Sequence, residues 1–264
     1  MAWGNYEFIE ATLEERVLTI ALNRPEAGNA TNQGLHSELS RVFIEATHDT
    51  AIDIIVLTGK GKLFSGGGDI AYLDYMTRDT DEFDRTVAEG RQIVYSMLDC
   101  EKPIIGKING HAAGLGATLV VLCDITFVAD HAKISDPHVK VGLTAGDGGA
   151  FMWPNLIGYA RAKEYLMTGK PIGAKDAERI GLINHAVPLE ELDARVDEFV
   201  RELAAGAQMA IRSTKMTINI GLKQLAHAAM EMGTAMERLT NRSADHRAAT
   251  AAMLRKETPV FGKK

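Results

Sequence analysis

An α/β core followed by an all-helical C-terminal part is the fold class this sequence predicts. Three observations carry it. Before about residue 190, short β-branched runs alternate with amphipathic stretches, and beyond it only helical periodicity remains. Hydrophobic residues make up 46% and charged residues 24%, the composition of a chain with a core to bury. The glycines cluster at two strand-to-helix turns. The expected division is a core over 1–190 and a helical oligomerisation or lid subdomain over 191–264.

Residues 6–22 read as two short strands, the second being Val17–Leu22. Residues 33–48 fit a helix that buries Leu35, Leu39, Val42, Phe43 and Ala46. A buried strand follows over 54–57, then the turn Phe64-Ser65-Gly66-Gly67-Gly68-Asp69-Ile70 and a helix. The acidic stretch 77–86 reads as a mobile surface segment, and 86–99 as a helix. A strand over 104–108 leads to Gly114-Leu115-Gly116 and another helix. Strand 125–129 and a hairpin through Asp130-His131 lead to 133–135, and residues 136–149 form a loop. Helices are expected at 150–157, 159–168, 174–180, 189–205, 207–220 and 222–255, with a strand at 182–187.

Composition excludes several function classes. The formal net charge is −6 and no long Lys/Arg run occurs, which argues against nucleic acid. Two cysteines, Cys100 and Cys123, make neither a disulfide framework nor a zinc site. No targeting segment or membrane span is evident, so a cytoplasmic location is expected.

A strand-to-helix turn leaves backbone N–H groups unpaired at the positive end of a helix, and glycine lets a ligand come close. Two such turns facing one point would form an oxyanion hole, worth about 2.7–4 kcal/mol per donor. Taken singly, each is more readily a tight packing turn, and only the two together weigh evenly between the readings.

The chain resembles the enoyl-CoA hydratase/isomerase superfamily over essentially its whole length. The resemblance lies in Leu22-Asn23-Arg24-Pro25, the Phe64–Ile70 turn, Lys102-Pro103 through Gly114-Leu115-Gly116, Ala177–Ile183 and the tail Pro259-Val260-Phe261-Gly262. It implies a crotonase-like spiral of ββα units, assembled as a homotrimer or dimer of trimers. It implies oxyanion donors at Gly68 and Leu115. It implies coenzyme A contacts at Arg24, Ala27, Ser65, Gly66, Gly68, Ile70, Gly114, Leu115, Phe261 and Lys263, with Trp153 on the acyl pocket. Coenzyme A enters as part of the substrate, and no separate cofactor or metal is expected. The acyl pocket is expected from the 70–95 segment, Leu143, Phe151, Met152 and Trp153, which could equally be core, and Phe151 is more readily placed there.

This sequence departs from the hydratases of that family. Where they carry two water-activating glutamates, it has Thr118 and His138. Threonine does not titrate near neutral pH, so ordinary hydration is disfavoured. His138 with Asp147 resembles the β-diketone hydrolase branch. That resemblance implies hydrolytic C–C cleavage of a β-ketoacyl or β-dicarbonyl substrate, with His138 as base and Asp147 as its partner. Asp136 reads as a turn residue before Pro137, Asp69 as a helix cap, and Glu237 as a solvated residue of the long C-terminal helix, with a catalytic acid as its reserve reading.

Two other classes compete. Gly110, Gly114 and Gly116, with Tyr159 and Lys163, mimic short-chain dehydrogenases. Tyr159 follows Gly116 by only 43 positions, however, and the glycines do not follow the first strand. A non-catalytic acyl-CoA binder would also suit the missing glutamates.

Overall fold

The computed structural model describes residues 1–262. The chain opens with an antiparallel pair, β1 (Ile9–Glu14) and β2 (Val17–Leu22), as its alternating apolar residues require. Helix α1 (Gln33–His48) follows, capped by Asn32, whose side chain accepts from the Leu35 amide at 2.9 Å. Its predicted face, Leu35, Leu39, Val42, Phe43 and Ala46, is fully buried. Each larger member contributes about 1.5–3 kcal/mol by that burial. Strand β3 (Ile54–Gly59) then pairs parallel with β2.

Helices α2 (Ile70–Met76) and α3 (Thr80–Asp99) precede β4 (Ile104–Ile108), and the short β5 (Ala112–Ala113) precedes α4 (Leu115–Leu122). Strands β6 (Ile125–Ala129) and β7 (Lys133–Ser135) follow. Next come α5 (Gly149–Ile157), α6 (Tyr159–Thr168), β8 (Ile172–Gly173), α7 (Ala174–Arg179) and β9 (His185–Val187). The C-terminal part holds α8 (Leu192–Ala204), α9 (Gln208–Asn241) and α10 (Ala244–Leu254). Strands run β1-β2-β3-β4-β6-β9 in the main sheet, all pairs parallel except the first. A smaller sheet runs β5-β7-β8.

Parallel neighbours need crossovers, and here helices supply them. Helix α1 packs against α3, α8 lies against β4 and β6, and α9 packs across α3 and α5. Buried Lys102 fastens the end of α1, donating to the carbonyls of Ala46, Thr47 and Asp49. A cation at a helix C-terminus is favoured by the helix dipole. Among the described residues, no helix is long and apolar enough to cross a membrane.

Three local expectations are corrected. Residues 80–86 are the first turns of α3, because Asp79 accepts from the Glu82 amide at 3.0 Å and acidic Asp81 and Glu82 suit a helix start. β6 and β7 form no hairpin, since they belong to different sheets. The C-terminal helices break at Arg242–Ser243 rather than near Gly221. Gly221 faces open space, and Ser243 caps α10 by accepting from the His246 amide at 3.0 Å.

Candidate active site

Two glycine turns meet at the C-terminal side of the main sheet. Ser65 donates its amide to the His111 carbonyl (3.1 Å), and the Ala113 amide returns to the Ser65 carbonyl (3.0 Å). Gly67 has φ +87°, and a side chain there would strike the Ala113 carbonyl at 2.9 Å. Only glycine lets the turns close on each other. A Cβ on Gly114 would lie 3.6 Å from the Gly67 Cα and 3.9 Å from Cε1 of His138. The Gly68 and Leu115 amides donate to no group among the described residues. Leu115 opens α4, so its amide also carries the positive end of that helix.

His138 begins a 3-10 turn, His138–Val141, directly after Pro137. Its Nδ1 donates to Oδ1 of Asp136 at 2.5 Å, and the His138 amide lies 3.4 Å from the same oxygen. Asp136 thus makes the expected turn and also orients the ring. Nε2 lies 3.6 Å from Oδ2 of Asp147, whose other oxygen accepts from the Thr118 hydroxyl at 3.2 Å. The carboxylate behind the imidazole is therefore Asp136, and Asp147 faces it from the front. That corrects the sequence expectation of Asp147 as the orienting partner. Glu237, on α9, stands over Gly146, where a Cβ would come within 2.9 Å of Oε2.

Charge is concentrated here. Burial alone would lower the His138 pKa, but Asp136 and Asp147 outweigh it and hold the imidazole well above its ordinary value. Burial, then the Asp136 charge, raises Asp147, with His138 opposing. Burial and the Asp147 charge push Glu237 up to about 8. The two carboxylates thus favour the imidazolium form of His138, and burial favours the protonated form of Glu237. Asp136, His138 and Asp147 also bring one ligand atom each within 4.8 Å of one another. Sequence spacing gave no sign of that donor set, for which no metal constellation was expected.

A cavity of about 260 Å³ opens onto this cluster. Gly66, Gly68, Ile70, Gly114, Leu115, His138 and Asp147 line it, with Leu143 and Glu237. The 70–95 segment contributes Leu73, Met76, Phe83 and Val87 as well, so the expected segment does border the cavity. Other expected residues do not. Trp153 is fully buried against Tyr165, and Phe151 and Met152 lie in the core. The Ser65 hydroxyl donates to the Asn29 carbonyl at 3.0 Å, which makes it a brace for the turn. Arg24 closes its own loop by pairing with Asp69 at 3.3 Å, and Asp69 caps α2. Ala27 sits in a 3-10 turn outside the cavity lining, and half-exposed Phe261, in the tail, also lies outside it. Lys263 lies outside the described residues. Tyr159 and Lys163 are exposed on α6.

Sequence alone reads Asp136 as a turn residue only, and gives no role to Met230, Thr234 and Met253 on the cavity wall. An Asp-Pro-His run is a usable signal for Asp136, since both its oxygen and the ring come from one turn. The α9 and α10 residues had no local signal.

The family model for enoyl-CoA hydratase/isomerase matches residues 12–264. A crotonyl-CoA hydratase of Syntrophomonas wolfei is 33% identical over 258 residues, covering 97% of this chain and 98% of its own. The crystal structure of an enoyl-CoA hydratase/isomerase from Mycobacterium paratuberculosis superposes with a TM-score of 0.87 at 36% identity, over 92% of this chain and 97% of that one. A β-diketone hydrolase from the cyanobacterium Anabaena, bound to (S)-3-oxocyclohexyl acetic acid, superposes at 0.83 with 26% identity, over 90% and 95%. This chain belongs to the enoyl-CoA hydratase/isomerase family and has the crotonase fold.

Proposed function

We propose that this enzyme cleaves a C–C bond by hydrolysis in a β-ketoacyl thioester or related β-dicarbonyl, a retro-Claisen reaction. One observation carries the reading: the His138 imidazole stands between two carboxylates, beside two unengaged backbone amides. Likeness to a β-diketone hydrolase supports it.

The chemistry balances with this chain's residues alone. Water held by Nε2 of His138 and Oδ2 of Asp147 gives a proton to Asp147. Its raised pKa makes Asp147 a stronger base than an ordinary carboxylate. The hydroxide adds to the β-carbonyl carbon. The bond between the α and β carbons then breaks, and its electron pair moves onto the thioester as an enolate. The Gly68 and Leu115 amides hold that oxyanion. His138, held as imidazolium by the Asp136 carboxylate, protonates the α carbon. Asp147 then returns its proton to the imidazole. A carboxylic acid and a shortened thioester leave. These roles reverse the sequence expectation of His138 as base. Coenzyme A takes part only as the thioester handle, and no separate cofactor is needed.

A second reading has its own support. Asp147 and Glu237 are two acids with raised pKa values on one cavity wall. They could replace the glutamates absent at Thr118 and His138, and hydrate an enoyl-CoA. Assembly as trimers or dimers of trimers belongs to both readings. Exposed apolar residues on α9, among them Ile218, Met232 and Leu239, favour assembly, and sedimentation would measure it.

The test is mass spectrometry of crotonyl-CoA, several β-ketoacyl-CoAs and cyclic β-diketones incubated in ¹⁸O-water, with His138→Ala as control. The proposal expects label in a new carboxylate and its loss in the variant. Labelled hydration of crotonyl-CoA alone would replace it with the second reading. Binding without turnover of any substrate would leave a non-catalytic binder.

A further inference from the structure

The acyl cavity has a polar spot that the reaction does not use. His36, in the first turns of α1, lines it and is 7% exposed. Its Nδ1 lies 2.8 Å from Glu89, and Arg85 holds the other Glu89 oxygen at 2.8 Å. Glu89 engages Nδ1, which leaves Nε2 to meet a ligand, as an acceptor in the tautomer whose proton sits on Nδ1. Nε2 makes no hydrogen bond among the described residues. It sits over Gly90, also on the cavity wall, 4.0 Å from where a Cβ would be.

Several polar groups on the same wall are already engaged. The Tyr72 hydroxyl is held by Glu82 (2.6 Å) and Thr86 (2.7 Å). Arg91 pairs with Glu231 at 2.7 Å, and the Thr234 hydroxyl donates to the Met230 carbonyl at 2.7 Å. An all-hydrocarbon acyl group packed here would strip water from Nε2 and return nothing.

We propose that His36 reads a hydroxyl on the acyl chain, and that the substrate is a hydroxyacyl thioester. The inference rests on the acyl-thioester reading above. The Thr31 amide donates to the Gly67 carbonyl at 2.7 Å, which ties the start of α1 to the oxyanion turn. His36 stands roughly one helical turn, about 5.4 Å, further along. That places the hydroxyl a few carbons beyond the thioester. The Glu89–Arg85 pair fixes the ring, so the acceptor is pre-oriented.

Isothermal titration of the full-length protein with octanoyl-CoA and its 4-, 5-, 6- and 7-hydroxy isomers tests this. None of these offers a β-carbonyl, so binding is read without turnover. One isomer should bind about tenfold tighter than octanoyl-CoA, the worth of one hydrogen bond in a dry site. In His36→Leu that gain should fall below twofold, while octanoyl-CoA, no longer stripping water from Nε2, binds tighter than to the wild type. Octanoyl-CoA binding with no favoured isomer would overturn the inference and leave the acyl-thioester reading standing. So would a gain that survives in His36→Leu. Failure of every thioester to bind would overturn both. The comparison within the wild-type protein decides the matter alone if His36→Leu does not fold.

Discussion

Removing the charge behind His138 should separate the two carboxylates' roles. In Asp136→Asn the amide oxygen still accepts from Nδ1, so geometry is kept and only charge is lost. The 2.5 Å contact is the closest one the ring makes. Unit charges about 4 Å apart interact by about 4 kcal/mol at an effective dielectric constant of 20. That is roughly three pKa units. The His138 pKa should therefore fall toward or below its ordinary value, because burial already pulls it down. Its raised pKa in the wild type stabilises the fold fully below the unfolded value of about 6.5. That stabilisation is lost as pH rises through the folded value. The melting-temperature gap between wild type and Asp136→Asn should thus be widest below about pH 6.5 and should narrow as pH rises above it. Turnover should drop about 10²–10⁴-fold, the loss expected when an orienting carboxylate loses its charge. Calorimetry across pH and imidazole ¹⁵N NMR measure the two effects. Parallel melting curves at all pH values, with an unmoved His138 titration, would refute the assignment of Asp136.

Glu237→Gln should melt a few degrees higher than wild type above pH 8. The native carboxyl, pushed up to about 8, costs the fold stability as pH rises from its unfolded value through that point. Differential scanning calorimetry at pH 5 and 9 reads the sign. Gly149→Ala places a Cβ 2.2 Å from Oδ2 of the buried Asp136, so it should cost about 1–3 kcal/mol in urea melts and displace His138. Gly173→Ala, with open space around it, is the matched control and should be near neutral. Lys215→Met should cost about 3–5 kcal/mol in the same melts. It strips the Asp124 carboxylate of its partner at 2.7 Å, and burial already raises that group's pKa. Adding Asp124→Asn should recover much of the loss.

The parts of this protein legible in its sequence are those set by neighbours in the chain. The buried face of α1 follows from apolar spacing alone, and the two glycine turns announce themselves by composition. Asp79, Asp81 and Glu82 carried an N-terminal helix signature, but their polarity hid it within a surface reading. The break after α9 had the same kind of signal in Ser243, outweighed by a glycine that costs the helix only propensity. Asp136 was read as one thing when its carboxylate does two. Pairing of β6 with β9 and of β7 with β8 is a matter of sheet assembly, which adjacency misleads. Glu237 reaches the site from a helix nearly a hundred residues away, and no local pattern could place it there. Trp153 drew attention by its size, yet size is also what fills a core.

Met76, Phe83 and Val87 are buried together with Tyr72 and Leu73, apart from the main hydrophobic core. This small lobe borders the cavity, yet the sheet does not depend on it for its packing. Drift in its side chains would reshape the acyl site while leaving the scaffold's folding free energy nearly untouched. The two are insulated from each other, as additivity expects of groups that share few contacts. A lineage could thereby change its diet without relearning how to fold. Random libraries confined to these five positions should yield folded protein at far higher frequency than libraries of equal size in the core.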